Sequence, residues 1–198
     1  MSKQVYISAD YDKNGDKEVV EELVKWGKDN KHKVDFIDMS NPSSGSVVNT
    51  DDCRICDLKA EFNSQINASS AVIFVVGDMT KYRTAGSGCE RNSKEWWQCY
   101  CTPYKQNKNG QKICKCSIIN TDWWNVSNIN SYSYLRHEFE QAKEKSKQII
   151  ILYNSTRYET SWLPSYMDGY EDDAHPFWKY ENGRKVGDYE YIKEVLGF

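Results

Sequence analysis

One glutamate lies at the margin of an apolar helix face, where a carboxylate is not simply surrounded by water. Segment 131–147 carries apolar residues at the i, i+3/i+4 spacing of a helix, namely Tyr132, Leu135, Phe139 and Ala142. Glu138 falls beside this face and in the first turn of the predicted helix, where the helix dipole favours negative charge. Partial burial there raises a carboxyl pKa. Glu138 is therefore either a site carboxylate or a boundary residue with its carboxylate in water, and the helix pattern alone favours the boundary residue.

Six of the seven cysteines form closely spaced pairs, and such thiolates can hold a tetrahedral zinc ion. The pairs are Cys53 and Cys56, Cys99 and Cys101, and Cys114 and Cys116. Their order and spacing match no zinc module, so we favour reduced, partly buried thiols and expect no metal site. If zinc were bound, it would be a structural ion that folds the surrounding segment.

The elements that must position Glu138 alternate between strand and helix. Apolar strands are predicted at 4–8, 33–38, 70–77 and 148–153, with helices between them. This order predicts right-handed βαβ units and a mainly parallel sheet with helices on both faces. Ligands of such sheets bind outside the carboxyl ends of the strands.

Small and polar residues follow each predicted strand, so we expect a cleft at that edge of the sheet, which Glu138 can approach. The candidate substrate-binding residues there are Ser8, Ala9, Asp10, Asp38, Gly77 and Asp78. The fourth strand ends in Asn154, Ser155 and Thr156. Backbone N–H groups of the turns after the first and third strands are candidates to hold ribose and phosphate.

Composition limits the classes of function. The chain has 198 residues, enough for one domain with a good core, and a net charge of -3, which argues against nucleic acid or an anionic membrane as partner. No apolar run approaches the roughly 20 residues of a membrane span, and the N-terminus shows no secretory pattern. We therefore expect a cytoplasmic protein.

Two regions fit the alternating pattern less well. Residues 81–130 contain five cysteines and two Trp pairs without a clear period, and we interpret them as an insertion into the single domain, 1–198. A hairpin around Asn109-Gly110 is predicted inside this insertion. After the fourth strand we expect an edge strand at 175–180 and a closing helix at 188–196.

Four segments in order resemble a TIR domain, in particular the bacterial TIR-like proteins of Thoeris antiphage systems. They are VYISADYD, VDFIDMS, SSAVIFVVGDMTKY and SYLRHEFEQAKEKSKQIIILYNST. The resemblance covers most of residues 1–156. It implies a flavodoxin-like, doubly wound sheet of five mainly parallel strands, with the Cys/Trp-rich insertion placed before the helix of Glu138. The family helix often has Trp where this chain has Tyr134.

The resemblance also implies an activity. Enzymatic TIR domains cleave the nicotinamide–ribose bond of NAD with a glutamate at the position of Glu138, and Tyr134 becomes a further substrate-binding candidate. Thoeris members make a cyclic or modified ADP-ribose that activates an effector protein, and TIR enzymes assemble through their surfaces. No cofactor beyond the substrate NAD is implied. A preorganised carboxylate stabilises the oxocarbenium-like transition state of such a reaction.

Other interpretations remain open. A non-catalytic TIR module would act by homotypic assembly and would not require Glu138 or polar strand ends. A nucleoside deoxyribosyltransferase-like enzyme would also use a carboxylate on an N-glycosidic bond. A receiver domain is disfavoured because Asp78 is a poor candidate for a phosphoacceptor at the end of the third strand.

Overall fold

The computed structural model describes residues 3–10, 16–28, 34–38, 62–83, 104–106, 112–114 and 133–197, with the backbone alone at 34–35, 37–38, 104–106 and 112–114. The described strands are β1 (Lys3–Ser8), β2 (Val34–Asp38), β3 (Ala71–Val76), β4 (Tyr104–Gln106), β5 (Lys112–Cys114), β6 (Gln148–Tyr153), β7 (Ala174–Pro176), β8 (Trp178–Glu181) and β9 (Arg184–Gly187). The described helices are α1 (Asp16–Lys28), α2 (residues 62–68), α3 (Tyr134–Glu144) and α4 (Tyr189–Leu196).

The central sheet is parallel throughout, in the order β2-β1-β3-β6-β7. Its register places Ile7 beside Ile73, and Ile73 beside Ile150. All six side chains of β3 are buried, as expected for a continuously apolar strand covered on both faces. The predicted α/β class with a parallel sheet is confirmed.

The two faces of the sheet bury separate apolar cores. Val5 and Ile7 of β1 point into the core under α1 and α4, which includes Leu23 and Ile192. Tyr6 points to the opposite face, into the core under α2 and α3. Successive residues of one strand therefore serve different cores, as the period of two requires.

Helix α3 packs against β3 and helps to form the second core. Phe139 is fully buried and meets Phe74 of β3 edge-on, with ring centroids 5.3 Å apart. Leu135 and Ala142 lie on the same face of the helix and are buried as well. This packing sets the height and rotation of α3 over β1 and β3.

The predicted edge strand at 175–180 is wrong in one respect, because the segment divides between two sheets. β7 ends at Pro176 and pairs in parallel with β6, whereas β8 pairs antiparallel with β9 in a separate hairpin. Asn182 and Gly183 turn that hairpin with φ of 51° and 77°. Two successive residues with positive φ are typical of the tight Asn-Gly hairpin turn.

Part of segment 81–130 is also described. β4 and β5 form an antiparallel hairpin, with Tyr104 opposite Cys114, and Asn109-Gly110 lies between the two strands in the chain.

Within the residues that the structure describes, no helix is long and apolar enough to cross a membrane.

Candidate active site

Glu138 lies inside the protein. Helix α3 begins at Tyr134, with Ser133 as N-cap, whose Oγ accepts a hydrogen bond of 3.0 Å from the backbone N–H of Arg136. Glu138 therefore belongs to the second turn of the helix, and the prediction of a first-turn position is wrong. The residue is 4% exposed, so the interpretation as a boundary glutamate with its carboxylate in water is also wrong.

Two hydroxyl groups of β1 hold the Glu138 carboxylate. The Tyr6 hydroxyl donates to Oε1 at 2.9 Å, and the Ser8 hydroxyl donates to Oε2. Tyr6 and Ser8 are two residues apart, so both point to the face of β1 that α3 covers. Among the described residues no lysine, arginine or histidine forms an ion pair with Glu138.

Burial dominates the acidity of Glu138. Loss of solvation raises the pKa of its carboxyl to about 8, although the hydrogen bonds from Ser8 and Tyr6 lower it. The negative charge of Asp10 adds a smaller upward contribution. Without the two hydroxyl donors the carboxylate would lose its main stabilisation.

Asp10 follows β1 and is close enough to Glu138 and Asp16 for its charge to act on both carboxyls. Burial raises the pKa of its carboxyl to about 6, and the charge of Arg83 opposes this shift. Its Oδ2 is buried and has no hydrogen-bond partner within the described ranges. A buried acceptor of this kind favours a ligand that brings a donor.

A third carboxyl, Asp16, lies at the start of α1. It is 6% exposed, and burial followed by the charge of Asp10 raises its pKa to about 7, whereas a hydrogen bond from the Asn154 side chain lowers it. The Trp178 Nε1–H donates in turn to Asn154 Oδ1 at 2.7 Å. The β8–β9 hairpin thereby supports the edge of the sheet at which Asp16 and Asp10 lie.

The other predicted binding residues have mixed outcomes. Ala9 is half-buried against the core under α1, and Asp78 is exposed. The N–H of Gly77 donates to Thr80 Oγ1 at 2.8 Å, so it is already occupied and does not face a phosphate as we predicted. Asp38 ends β2 opposite Ile7, and its side chain lies outside the described residues.

Tyr134 begins α3 one turn before Glu138. Its ring meets Phe62 of α2 edge-on, with centroids 5.7 Å apart. Part of its ring is therefore occupied by packing between the two helices, and the residue as a whole is half-buried.

Sequence reasoning missed three residues of this edge: Tyr6, Asp16 and Tyr166. Tyr6 is expected only within the strand at 4–8, and no role in the site is predicted for Asp16 or Tyr166. Tyr166 Oη lies 3.5 Å from Ser133 Oγ, and burial raises the pKa of its hydroxyl. The position of Tyr6 two residues before Ser8 was the available indication, since it places both hydroxyls on one face of β1.

The structure gives no side-chain position for the paired cysteines. Cys53, Cys56, Cys99, Cys101 and Cys116 lie outside the described residues, and Cys114 is described only by its backbone. In the described ranges no three His, Cys, Asp or Glu side chains are grouped in a way that could hold a metal ion.

A scan against protein-family models and a search of curated proteins both return no match for this chain. What the site can do is therefore argued from its geometry. A carboxylate in a fixed orientation, close to the buried Asp16 and the half-buried Asp10 and without a cationic partner among the described side chains, stabilises positive charge. This arrangement suits a substrate that carries or develops a positive charge next to Glu138.

Proposed function

We propose that this chain is a TIR-type enzyme that cleaves the nicotinamide–ribose bond of NAD, with Glu138 as the catalytic carboxylate. One observation carries the proposal: a buried glutamate is held through both oxygens by Tyr6 and Ser8 at the ligand-binding edge of a parallel sheet. Hydrogen bonds to both oxygens favour the ionised carboxylate, which is the form that the proposed reaction uses.

The topology supports the same proposal. The sheet order β2-β1-β3-β6-β7 is the order 2-1-3-4-5 of flavodoxin-like sheets once the β4–β5 hairpin is set aside. Ligands of these sheets bind at the carboxyl ends of the strands, where Ser8, Asp10 and Gly77 lie. We interpret 81–130, which contains that hairpin, as an insertion before the helix of Glu138.

The proposed reaction requires mainly a negative charge in a fixed position beside the ribose. Nicotinamide leaves as a neutral molecule, so no strong general acid is required. As the bond lengthens, positive charge builds up on the ribose, and the ionised Glu138 stabilises it. With a pKa of about 8, roughly one Glu138 in ten is ionised at pH 7 before substrate binds. The cationic nicotinamide ring of NAD lowers this pKa and favours the active form.

The neighbouring residues have supporting roles in this proposal. The Oδ2 of Asp10, which has no hydrogen-bond partner in the described part of the chain, accepts a hydrogen bond from a ribose hydroxyl. Tyr134, one helical turn before Glu138, and Asp78, whose charge acts on Asp16, are further substrate-binding candidates in this proposal, together with Asp38 at the end of β2. The ADP-ribose product, cyclic or otherwise modified, would activate an effector protein in antiphage defence, and assembly of several copies would complete the site.

The test is to follow products from several N-glycosides. Purified protein at low and high concentration is incubated with NAD, or with a deoxynucleoside and a free base, and products are identified by mass spectrometry. Release of nicotinamide and an ADP-ribose product supports the proposal. Exchange of bases between deoxynucleosides would instead support the deoxyribosyltransferase-like alternative. Turnover of neither substrate at either concentration would favour a non-catalytic assembly module.

A further inference from the structure

Glu138 receives hydrogen bonds from Tyr6 and Ser8 of β1, which lie 132 and 130 residues away in the chain. β1 contributes a tyrosine and a serine on one face, and each donates to a different carboxylate oxygen. Tyr6 is fully buried and Ser8 is 1% exposed, so neither hydroxyl can exchange its partner for bulk water. A carboxylate oxygen can accept more than one hydrogen bond, so these two bonds do not use the whole acceptor capacity of Glu138.

We propose that Tyr6 and Ser8 are positioning residues, which hold the Glu138 carboxylate in one orientation and keep it able to ionise inside the core. The expected effect of Tyr6 and Ser8 on the reaction rate rests on the proposed function. Their expected effect on the ionisation of Glu138 does not. It also changes the predicted role of Ser8, whose hydroxyl serves the glutamate and not the substrate directly.

The environment explains why two donors are needed. Burial and the charge of Asp10 both disfavour the ionised form of Glu138, and the hydrogen bonds from Ser8 and Tyr6 favour it. Charge-assisted hydrogen bonds of this kind are stronger than neutral ones. Loss of one donor should leave an oxygen unpaired in a buried site, so the neutral acid becomes the favoured form.

Two variants remove one hydroxyl each with little change of shape: Tyr6→Phe and Ser8→Ala. The matched controls are Tyr153→Phe and Ser69→Ala. Tyr153 is equally buried, and its hydroxyl has no partner within the described residues. Ser69 is 2% exposed and donates to the backbone carbonyl of Gln65, away from the carboxylate. Circular dichroism shows whether each variant folds. If one of the two positioning variants does not fold, the other still tests the inference.

The first measurement does not depend on activity. The Glu138 carboxyl is titrated by ¹³C NMR in glutamate-labelled protein and assigned by its absence in Glu138→Gln. We expect Tyr6→Phe and Ser8→Ala each to move the midpoint to higher pH, with both controls at the wild-type midpoint. An unchanged midpoint in both positioning variants would overturn the inference, whatever their rates.

The second measurement is kcat/KM for NAD against pH. We expect a loss of about 10- to 100-fold per hydroxyl at pH 7, most of it in kcat, with the rising limb displaced to higher pH in parallel with the NMR midpoint. A rate profile that keeps its wild-type midpoint would overturn the positioning role. If the NMR midpoint moves while the wild-type protein cleaves no NAD, the proposed function is wrong. The positioning of Glu138 by Tyr6 and Ser8 is then still supported.

Discussion

The Cα of Gly77 lies directly against the carboxylate of Asp16, so that a Cβ at position 77 would come within 2.5 Å of Asp16 Oδ1. Real Cβ atoms essentially never approach another atom this closely. The contact joins the end of β3 to the first residue of α1. It shows that glycine at this position is required by the close approach of a neighbouring side chain.

Replacement of Gly77 by alanine should therefore destabilise the protein. We expect Gly77→Ala to lower the free energy of unfolding by about 1–3 kcal/mol, because Asp16 is held by Asn154 and cannot simply move aside. Urea denaturation measures the change. In the double variant Gly77→Ala/Asp16→Ala the overlap is relieved, so its cost should be smaller than the sum of the two single changes. A Gly77→Ala protein as stable as the wild type would contradict the contact.

Two buried carboxyls, Asp16 and Glu138, and the half-buried Asp10 predict an unusual dependence of stability on pH. Burial raises the pKa of Asp10, Asp16 and Glu138 to about 6, 7 and 8, above the ordinary values of 3.8, 3.8 and 4.5 for these carboxyls. The folded protein thus binds more protons than the unfolded chain between about pH 4 and 8. The contribution of these groups to stability is complete below pH 4 and is lost as the pH rises through these folded-state pKa values.

Urea denaturation at intervals from pH 4 to 9 measures this dependence. Glu138→Gln should flatten the fall nearest pH 8, since glutamine cannot ionise. Glu140→Gln is the matched control, because Glu140 is an exposed residue of the same helix and pairs with Arg136 at the surface. Stability that rises over this interval in the wild type would refute the raised pKa values.

Asn154 links the C-terminal hairpin to the acidic edge of the sheet. Asn154→Ala should remove the acceptor of the Trp178 Nε1–H and the donor to Asp16. We expect a loss of about 1–3 kcal/mol in the free energy of unfolding, because both partners are left buried and unpaired. The pKa of Asp16 should rise further, which shifts its part of the pH dependence toward alkaline pH.

The control for this variant is Asn67→Ala. Asn67 is exposed, and its side chain accepts a hydrogen bond from Gln141 at the surface. Equal losses of stability in Asn154→Ala and Asn67→Ala would mean that the link through Trp178 and Asp16 contributes little.

Much of the central sheet could be predicted from the sequence because its strands are continuously apolar. β3 and β6 are predicted from runs such as Val72 to Val76 and Ile149 to Tyr153, which are typical of strands covered on both faces. Helix α3 followed from its 3.6-residue period. The local pattern of apolar residues was sufficient to predict an element wherever that element buries a regularly spaced set of side chains.

The pairing of Glu138 with Tyr6 and Ser8 could not be predicted in the same way. A period places a residue on a face of its own element, but it does not say which strand that face meets. Glu138 at the margin of the apolar stripe was therefore compatible with either water or a buried partner. The partner is set by how α3 packs over β1, through Phe139 and the residues around it.

The segment after β6 was least predictable because its elements are short. β7 has three residues and β8 and β9 have four each, too few for a clear period of two. An indication was nevertheless present in Asn182-Gly183, the same dipeptide that led us to predict a hairpin at Asn109-Gly110.

The measurement that tests the central claim most directly is nicotinamide release from NAD by wild type, Glu138→Gln and Glu140→Gln at equal concentrations. Two concentrations are used, because assembly of copies is part of the proposal. We predict that Glu138→Gln loses activity by at least about 100- to 1000-fold, since its side chain carries no charge to stabilise the ribose cation. Glu140→Gln should keep the wild-type rate. Full activity in folded Glu138→Gln would contradict the assignment of Glu138 as the catalytic carboxylate.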